Sequence, residues 1–237
     1  MDKFDISKIK EFYNRIPVIW ATDDVWHIYS HNELQKYINH HKILFENCKV
    51  LNAGSGGNDY GICCEEMHHT DIAEEKIKNC KHYAVANMEN LPYKNESFDA
   101  IISVGSVLNY CDAFKAISEL SRVLKKSGIM ILEFESTWGF EYLGTQEYRK
   151  PVTIITLEYM HEQHTQWLFA PDYIYQILKE YDFCILEKYP FHILDGLLSK
   201  FLSESLSVKL TKLDTFIRKW PYFRKHGNNI ILLCKKK

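Results

Sequence analysis

The chain has 237 residues, 46% of them hydrophobic and 25% charged; at about 150 residues per domain this is one domain with a substantial embellishment, and it is too apolar for an intrinsically disordered chain. Lys and Arg number 29 against 31 Asp and Glu, a formal charge of -2, so charge gives no reason to expect a dedicated binder of nucleic acid or of anionic membranes. No run of about 18 apolar residues is available to span a bilayer, and Met1-Asp2-Lys3-Phe4-Asp5 lacks the apolar core of a signal peptide. Seven cysteines, an odd number without a CxxC pair, read as buried reduced thiols of a cytoplasmic protein. The histidines include His68-His69 and His161/His164, but neither pair has a second ligand cluster at zinc spacing, so no metal is expected.

In chain order, Ser30-His31-Asn32-Glu33 fits a capping box, followed by Leu34, Tyr37, Ile38, His41, Leu44 and Phe45 at helical spacing. Lys49 to Ala53 is a short apolar run entering the turn Gly54-Ser55-Gly56-Gly57, the pattern of a buried strand. A weaker strand ends at Thr70-Asp71, another spans His82 to Asn87, and Phe98 to Val104 is continuous enough to be covered on both faces. Asp112 caps a helix striped by Phe114, Ile117, Leu120 and Leu124, with Lys125 and Lys126 at its negative end and Gly128 as its left-handed cap; Ile129 to Glu135 is the next strand. Alternation of this kind predicts a parallel sheet with helices on both faces. Beyond it, Val152 to Tyr159 and His164 to Phe169 suit a hairpin, Pro171 starts an amphipathic helix, and Phe183 to Tyr189 and Asn229 to Cys234 suit strands. The helical stretch from about Leu194 to His226 reads as an insertion over one end of the sheet.

Ligands of such sheets sit at the carboxyl ends of the strands. The turn after the first strand lacks the third glycine of a dinucleotide fingerprint, Asp59 standing there, and no Gly-Lys-Ser/Thr of a P-loop follows. Asp71 offers a carboxylate for two ribose hydroxyls or, equally, a cap for the helix that follows. Asn87 and Met88 offer the polar edge and apolar surface that a purine needs, or an ordinary turn before Pro92.

Taken together, Val50-Leu51-Asn52-Ala53-Gly54-Ser55-Gly56-Gly57, Thr70-Asp71-Ile72, Asn87-Met88-Glu89-Asn90-Leu91-Pro92-Tyr93, Ser97 to Ile101 and Arg122-Val123-Leu124-Lys125-Lys126-Ser127-Gly128 resemble the class I S-adenosylmethionine-dependent methyltransferases of small-molecule type. The resemblance covers about Lys49 to Glu135. It implies a Rossmann-like doubly wound sheet of seven strands, mostly parallel with an antiparallel last strand, in a single domain over 1–237: a helical cap at 1–47, a cofactor core at 48–135, and a substrate-side segment, insertion and final strands at 136–237. It implies S-adenosyl-L-methionine as cofactor. Asn52, Gly54, Ser55 and Gly56 would meet its methionine end, Asp71 the ribose, Ile72 the adenine face, Asn87 with Met88 the adenine edge, and Ser103 and Gly105 the transferring methyl. Two departures stand out: the family usually has an acid where this chain has Asn52, and the short distance from Gly54 to Asp71 reduces the usual first helix to a turn or two between Asn58 and Cys64.

Methyl transfer from a sulfonium is an in-line displacement that depends mainly on positioning; a base is needed only when the attacking group is protonated. His164 is the first candidate base, with Glu135 next and Tyr110, beside Asn109, close to the fourth strand's end. Tyr13, Trp20, Trp26 and Trp167 are candidate aromatic walls or plain core. No Asn-Pro-Pro-Tyr or Asp-Pro-Pro-Tyr follows the fourth strand, and Arg218, Lys219, Arg224 and Lys225 suit a solvated helix face. The expectation is a small-molecule acceptor, without membrane or nucleic-acid partner. The competing readings are an S-adenosylmethionine-binding partner without turnover, motivated by Asn52 and the short crossover, and, behind it, an RNA or protein methyltransferase.

Overall fold

The computed structural model describes residues 5–237, apart from the side chains at 204 and 205; Met1 to Phe4, part of the N-terminal stretch compared with a signal peptide, lie outside it. Two helices, α1 (Ile6–Arg15) and α2 (Val25–His40), come first. Then follow β1 (Lys49–Ala53), β2 (Glu66–Asp71), α3 (Glu74–Ile77), β3 (Tyr83–Val85), β4 (Phe98–Ser103), α4 (Ala113–Val123) and β5 (Leu124–Glu135). The hairpin β6 (Val152–Tyr159) and β7 (Glu162–Phe169) leads to α5 (Pro171–Glu180) and β8 (Phe183–Phe191). Three short helices, α6 (Leu194–Leu198), α7 (Glu204–Lys209) and α8 (Asp214–Ile217), form the expected insertion before β9 (Asn229–Lys236).

Seven strands make one sheet in the order β3-β2-β1-β4-β5-β9-β8. The first five strands pair in parallel, and β9 runs antiparallel between β5 and β8. The chain leaves β1 in both directions, so the crevice between the tips of β1 and β4 is the switch point of the sheet. Consecutive strand residues face opposite layers: Leu51, Ile101 and Leu132 pack with α4 and α5 through Leu120 and Ile174, while Val50, Ile102 and Ile131 pack with α2 through Leu34 and Ile38. This double coverage is why these strands read as near-continuous apolar runs.

Some local expectations shift. Helix α2 starts six residues before the predicted capping box, because the Asp24 carboxylate accepts from the backbone N–H of both Trp26 and His27. Ser30 therefore lies inside the helix and donates to the Trp26 carbonyl at 3.1 Å. Helix α4 ends at Val123 with no glycine cap. The left-handed residue is Ser127 (φ 61), whereas a Cβ on Gly128 would stand 2.9 Å from the Asp99 carbonyl oxygen, so this glycine serves close strand approach. No helix forms between β1 and β2. The seven cysteines are free, but only Cys111 and Cys234 are buried, and Cys63 and Cys184 are exposed. No helix among the described residues is long and apolar enough to cross a membrane.

Candidate active site at the strand tips

A cavity of about 940 Å³ opens at the carboxyl ends of β1, β2, β4 and β5, near the upper end of the ~300–1,000 Å³ typical of small-molecule sites. Parallel pairing of Ala53 with Thr70 brings the glycine turn over the end of β2. Gly54 and Ser55 donate their N–H groups to the Thr70 carbonyl at 2.7 and 3.0 Å, and Gly56 N–H donates to Asp71 Oδ2 at 2.8 Å. Gly54 adopts φ +70, and a Cβ there would lie 2.3 Å from Val107 Cγ1; only glycine fits both demands. The second Asp71 oxygen accepts from Ala73 N–H at 2.9 Å. The backbone N–H of Ile72 also bonds this carboxylate, and an ionised carboxylate has about four acceptor positions, so capacity for a further donor remains. Burial raises the Asp71 pKa, against the lowering effect of the N–H donors.

Ile72, Asn87 and Met88 line the same cavity beside Asp71. Asn87 Oδ1 caps its own turn by accepting from Glu89 N–H at 2.9 Å. Ser103 is fully buried behind this wall and donates to Met88 Sδ at 3.3 Å, so it supports the lining without joining it. Asn52 is likewise absent from the lining: its Nδ2 donates to the Asn58 carbonyl at 2.6 Å. That bond, with Asn58 Oδ1 accepting from Tyr60 N–H and Asp59 Oδ1 from Gly61 N–H, holds the helix-free crossover in place of helical hydrogen bonds.

On the other side of the switch point, Gly105 and Ser106 both adopt positive φ and donate their N–H groups to Glu133 Oε2 at 2.9 and 2.6 Å. Asn229 Nδ2 reaches Glu133 Oε1 at 2.7 Å. Glu133 has no exposed surface, and burial pushes its pKa up to about 7. Sequence reasoning passed over it; the signal was a second carboxylate two residues before Glu135, on the same face of an otherwise apolar strand. Glu135 lines the cavity, accepts from Gln166 Nε2 at 2.5 Å, and has its pKa raised by burial.

Of the three candidate catalytic residues, Glu135 and Tyr110 line the cavity and His164 does not. His164 points to the same face of β7 as Gln166, but α1 covers it: the Phe12 ring meets it edge-on at 4.2 Å, its Nδ1 has no hydrogen-bond partner, and burial lowers its pKa. A base must come within reach of the proton it takes, and His164 stands off the cavity wall. Asn109 is also spent, bonding the Glu135 and Trp167 carbonyls and accepting from Glu135 N–H. Tyr13, Trp20, Trp26, His27 and Tyr159 complete the walls, whereas Trp167 stands outside. Seven carboxyl groups (Asp24, Asp71, Glu133, Glu135, Glu141, Glu147 and Glu158) and one lysine, Lys76, line the cavity, which favours a cationic ligand.

Gly54, Ser55, Gly56, Asp71, Ile72, Asn87, Met88 and Gly105 thus converge on one cavity. Residues 47–132 match the family model of the methyltransferase domain. The chain is 28% identical over 138 residues to a ubiquinone biosynthesis O-methyltransferase of Bartonella quintana, covering 45% of this chain and 55% of that one. It is 41% identical over 99 residues to an uncharacterized protein of Methanocaldococcus jannaschii, covering 40% and 39%; the chain therefore spans about two fifths to just over half the length of these relatives. In fold it is similar to geranyl diphosphate C-methyltransferase of Streptomyces coelicolor, solved with S-adenosyl-L-homocysteine, at a TM-score of 0.62 and 10% identity over 98% of this chain and 97% of that one. Residues 47–132 are thus similar to the methyltransferase domain, and they lie within a complete seven-stranded sheet of the same fold as the methyltransferase structure.

Proposed function

We propose that this protein transfers a methyl group from S-adenosylmethionine to a small aromatic acceptor bearing a hydroxyl. The observation that carries the reading is the pairing of Gly56 N–H with the Asp71 carboxylate at neighbouring strand tips on the cavity wall. The residues present fit the cofactor. Asp71 keeps acceptor capacity for a ribose hydroxyl, Ile72 and Met88 provide apolar surface beside Asn87 for the adenine, and the carboxylate-rich lining suits a ligand carrying sulfonium and ammonium charges. Asn52 does not weaken this reading, because it braces the turn and does not face the cavity.

When bound, the cofactor supplies an electrophilic methyl on sulfur. The chain's part is to align, to exclude water and to take a proton. Trp20 lies over Gly105, and Ile19 over Gly56, so the segment between α1 and α2 shields the strand tips. Glu135, oriented by Gln166, takes the acceptor's hydroxyl proton on its carboxylate; its raised pKa brings it toward the working range of a general base. Tyr13, Tyr110 and Tyr159 offer aromatic walls to a planar acceptor. Support for the acceptor class also comes from the Bartonella relative, named as an O-methyltransferase of ubiquinone biosynthesis.

Calorimetric titration with S-adenosylmethionine and S-adenosylhomocysteine is the first test; no heat from either sinks the reading. Asp71→Ala is expected to weaken cofactor binding by about 1–3 kcal/mol, the cost of losing charged hydrogen bonds. Unchanged affinity in a folded variant would show that the ribose lies elsewhere. Mass-spectrometric detection of methyl transfer to a panel of phenols and hydroquinones tests the acceptor: binding without transfer to any of them removes this acceptor class and leaves the cofactor site standing.

A further inference from the structure

At the end of the sheet opposite the cavity, Glu66, His68 and His82 bring their ligand atoms together, and we propose that they bind a divalent cation of the zinc class. Glu66 Oε1 lies 2.9 Å from His68 Nε2 and 3.6 Å from His82 Nε2, and the three ligand atoms all fall within 4.8 Å of one another. Metal–ligand bonds of about 2.0–2.1 Å in a tetrahedron set ligand atoms about 3.3 Å apart, so these two separations bracket the value that coordination requires. Two imidazoles and one carboxylate are a donor set for zinc, nickel or cobalt, in contrast to the all-oxygen sets that calcium and magnesium prefer.

The fold explains how residues 14 positions apart meet. Glu66 and His68 alternate onto one face of β2. The parallel register of β2 with β3 fixes His82 alongside through the bond from His69 N–H to the His82 carbonyl at 2.9 Å, and the two imidazoles stack at 5.0 Å. Linear spacing in the chain hid this cluster, since the eye finds His68-His69 while His69 faces the other layer. Lys49 Nζ holds the second oxygen of Glu66 at 3.0 Å and so orients the first toward the histidines, the supporting role that outer partners play at metal sites. Phe98 and Tyr93 wall the His68 ring at 5.4 and 5.7 Å. Without a cation, one carboxylate oxygen serves His68 and leaves His82 Nε2 beyond hydrogen-bond reach; a cation engages all three at once.

The site is remote from the cavity: Glu66 stands five positions before Asp71 along β2, roughly 16 Å of strand. Its work would be to fasten β3, a three-residue edge strand, to β2, and thereby to steady the strand ends that carry Asp71 and Asn87.

Zinc titration of the full chain, free of affinity tag, followed by calorimetry and by thermal unfolding, tests this. One equivalent is expected to bind with a dissociation constant on the order of micromolar, and saturation is expected to raise Tm by about 5 °C. His82→Ala and Glu66→Gln should each weaken binding by about 10-fold or more. Cobalt substitution should give d–d bands without a thiolate charge-transfer band, which separates these ligands from the cysteines. In the unaltered protein, zinc should protect His68 and His82 from acylation by diethyl pyrocarbonate, a readout that needs no variant. Absence of saturable binding below about 100 µM, equal affinity in the variants, or a thiolate band in the cobalt spectrum would each overturn the site. None of these measurements depends on the cofactor, so their failure leaves the methyltransferase reading untouched.

Discussion

Glu133 illustrates how a single buried side chain sets both shape and pH response. Its carboxylate accepts three hydrogen bonds, from Gly105, Ser106 and Asn229, and these fix the left-handed turn at the end of β4. Burial nevertheless lifts its pKa from 4.5 to about 7. Between those two values the folded chain holds a proton that the unfolded chain has released, so stability falls as pH rises through this window and levels off above it. One such group contributes a slope of up to about 1.4 kcal/mol per pH unit, about 3 kcal/mol in all. Glu141 and Asp214, whose pKa values burial also lifts to about 7, add slopes of the same sign. Glu133→Gln keeps the shape and removes one titration. Urea unfolding at pH 5, 6, 7 and 8 should show the decline of stability with pH reduced by one group's share. An unaltered slope would mean that Glu133 ionises normally despite its burial.

Among the elements, the β1–β2 crossover departs most from what the resemblance implied, a first helix of a turn or two. A helix would satisfy its own backbone; here Asn52, Asn58 and Asp59 do so with side chains, and Tyr60 buries its ring against Leu34 and Ile38. The brace requires a donor at position 52. Asn52→Asp, which introduces the acid that the resemblance implied, would set a buried carboxylate 2.6 Å from the Asn58 carbonyl. The expected loss is about 2–3 kcal/mol of stability, with weaker cofactor binding because the Gly54–Gly56 turn hangs from this loop; a gain in affinity would show that position 52 faces the ligand after all. The same element shows what was legible beforehand. Strand, glycine turn and Asp71 were readable because apolar runs and turn residues are local signals. Asn52, Ser103 and His164 stand off the cavity because residue type announces chemistry, whereas orientation depends on distant neighbours: Phe12 covers His164 from 152 positions away. Helix α2 was mis-started for a related reason, since two competing caps stood six residues apart and tertiary contacts chose between them. Ser30, one of those caps, instead meets His192 Nε2 at 2.8 Å, and the other ring nitrogen of His192 pairs with buried Asp195, tying α2 to the insertion.

Across the whole molecule, the cavity is closed by chain segments far apart in sequence. The stretch from α1 to α2 lies across the strand tips and is held from two sides: Tyr159 Oη, on the hairpin, donates to the Ile19 carbonyl at 2.6 Å, and on the α3 side Lys76 Nζ donates to the Ile16 carbonyl while Glu75 N–H donates to Asn14 Oδ1 at 3.0 Å. Arg15 pairs with Glu162 at the hairpin turn, but both are well exposed, so this ion pair contributes little. The buried tyrosine contact carries more, because its acceptor loses water as well as a partner when it breaks. Hairpin, α3 and covering segment therefore form a clasp over the cavity, and in the proposed function this clasp closes on the cofactor above the glycine turn and Asp71. Tyr159→Phe removes one donor and keeps the ring. The segment should open more readily by about 1 kcal/mol, so dissociation of S-adenosylhomocysteine should quicken about 5-fold, measured by stopped-flow fluorescence of the tryptophans at the cavity. Global stability in urea should change little, since the sheet and its two apolar layers are untouched. Equal dissociation rates in the two proteins would show that the ligand leaves without this segment moving, and the clasp would then be a fixed wall.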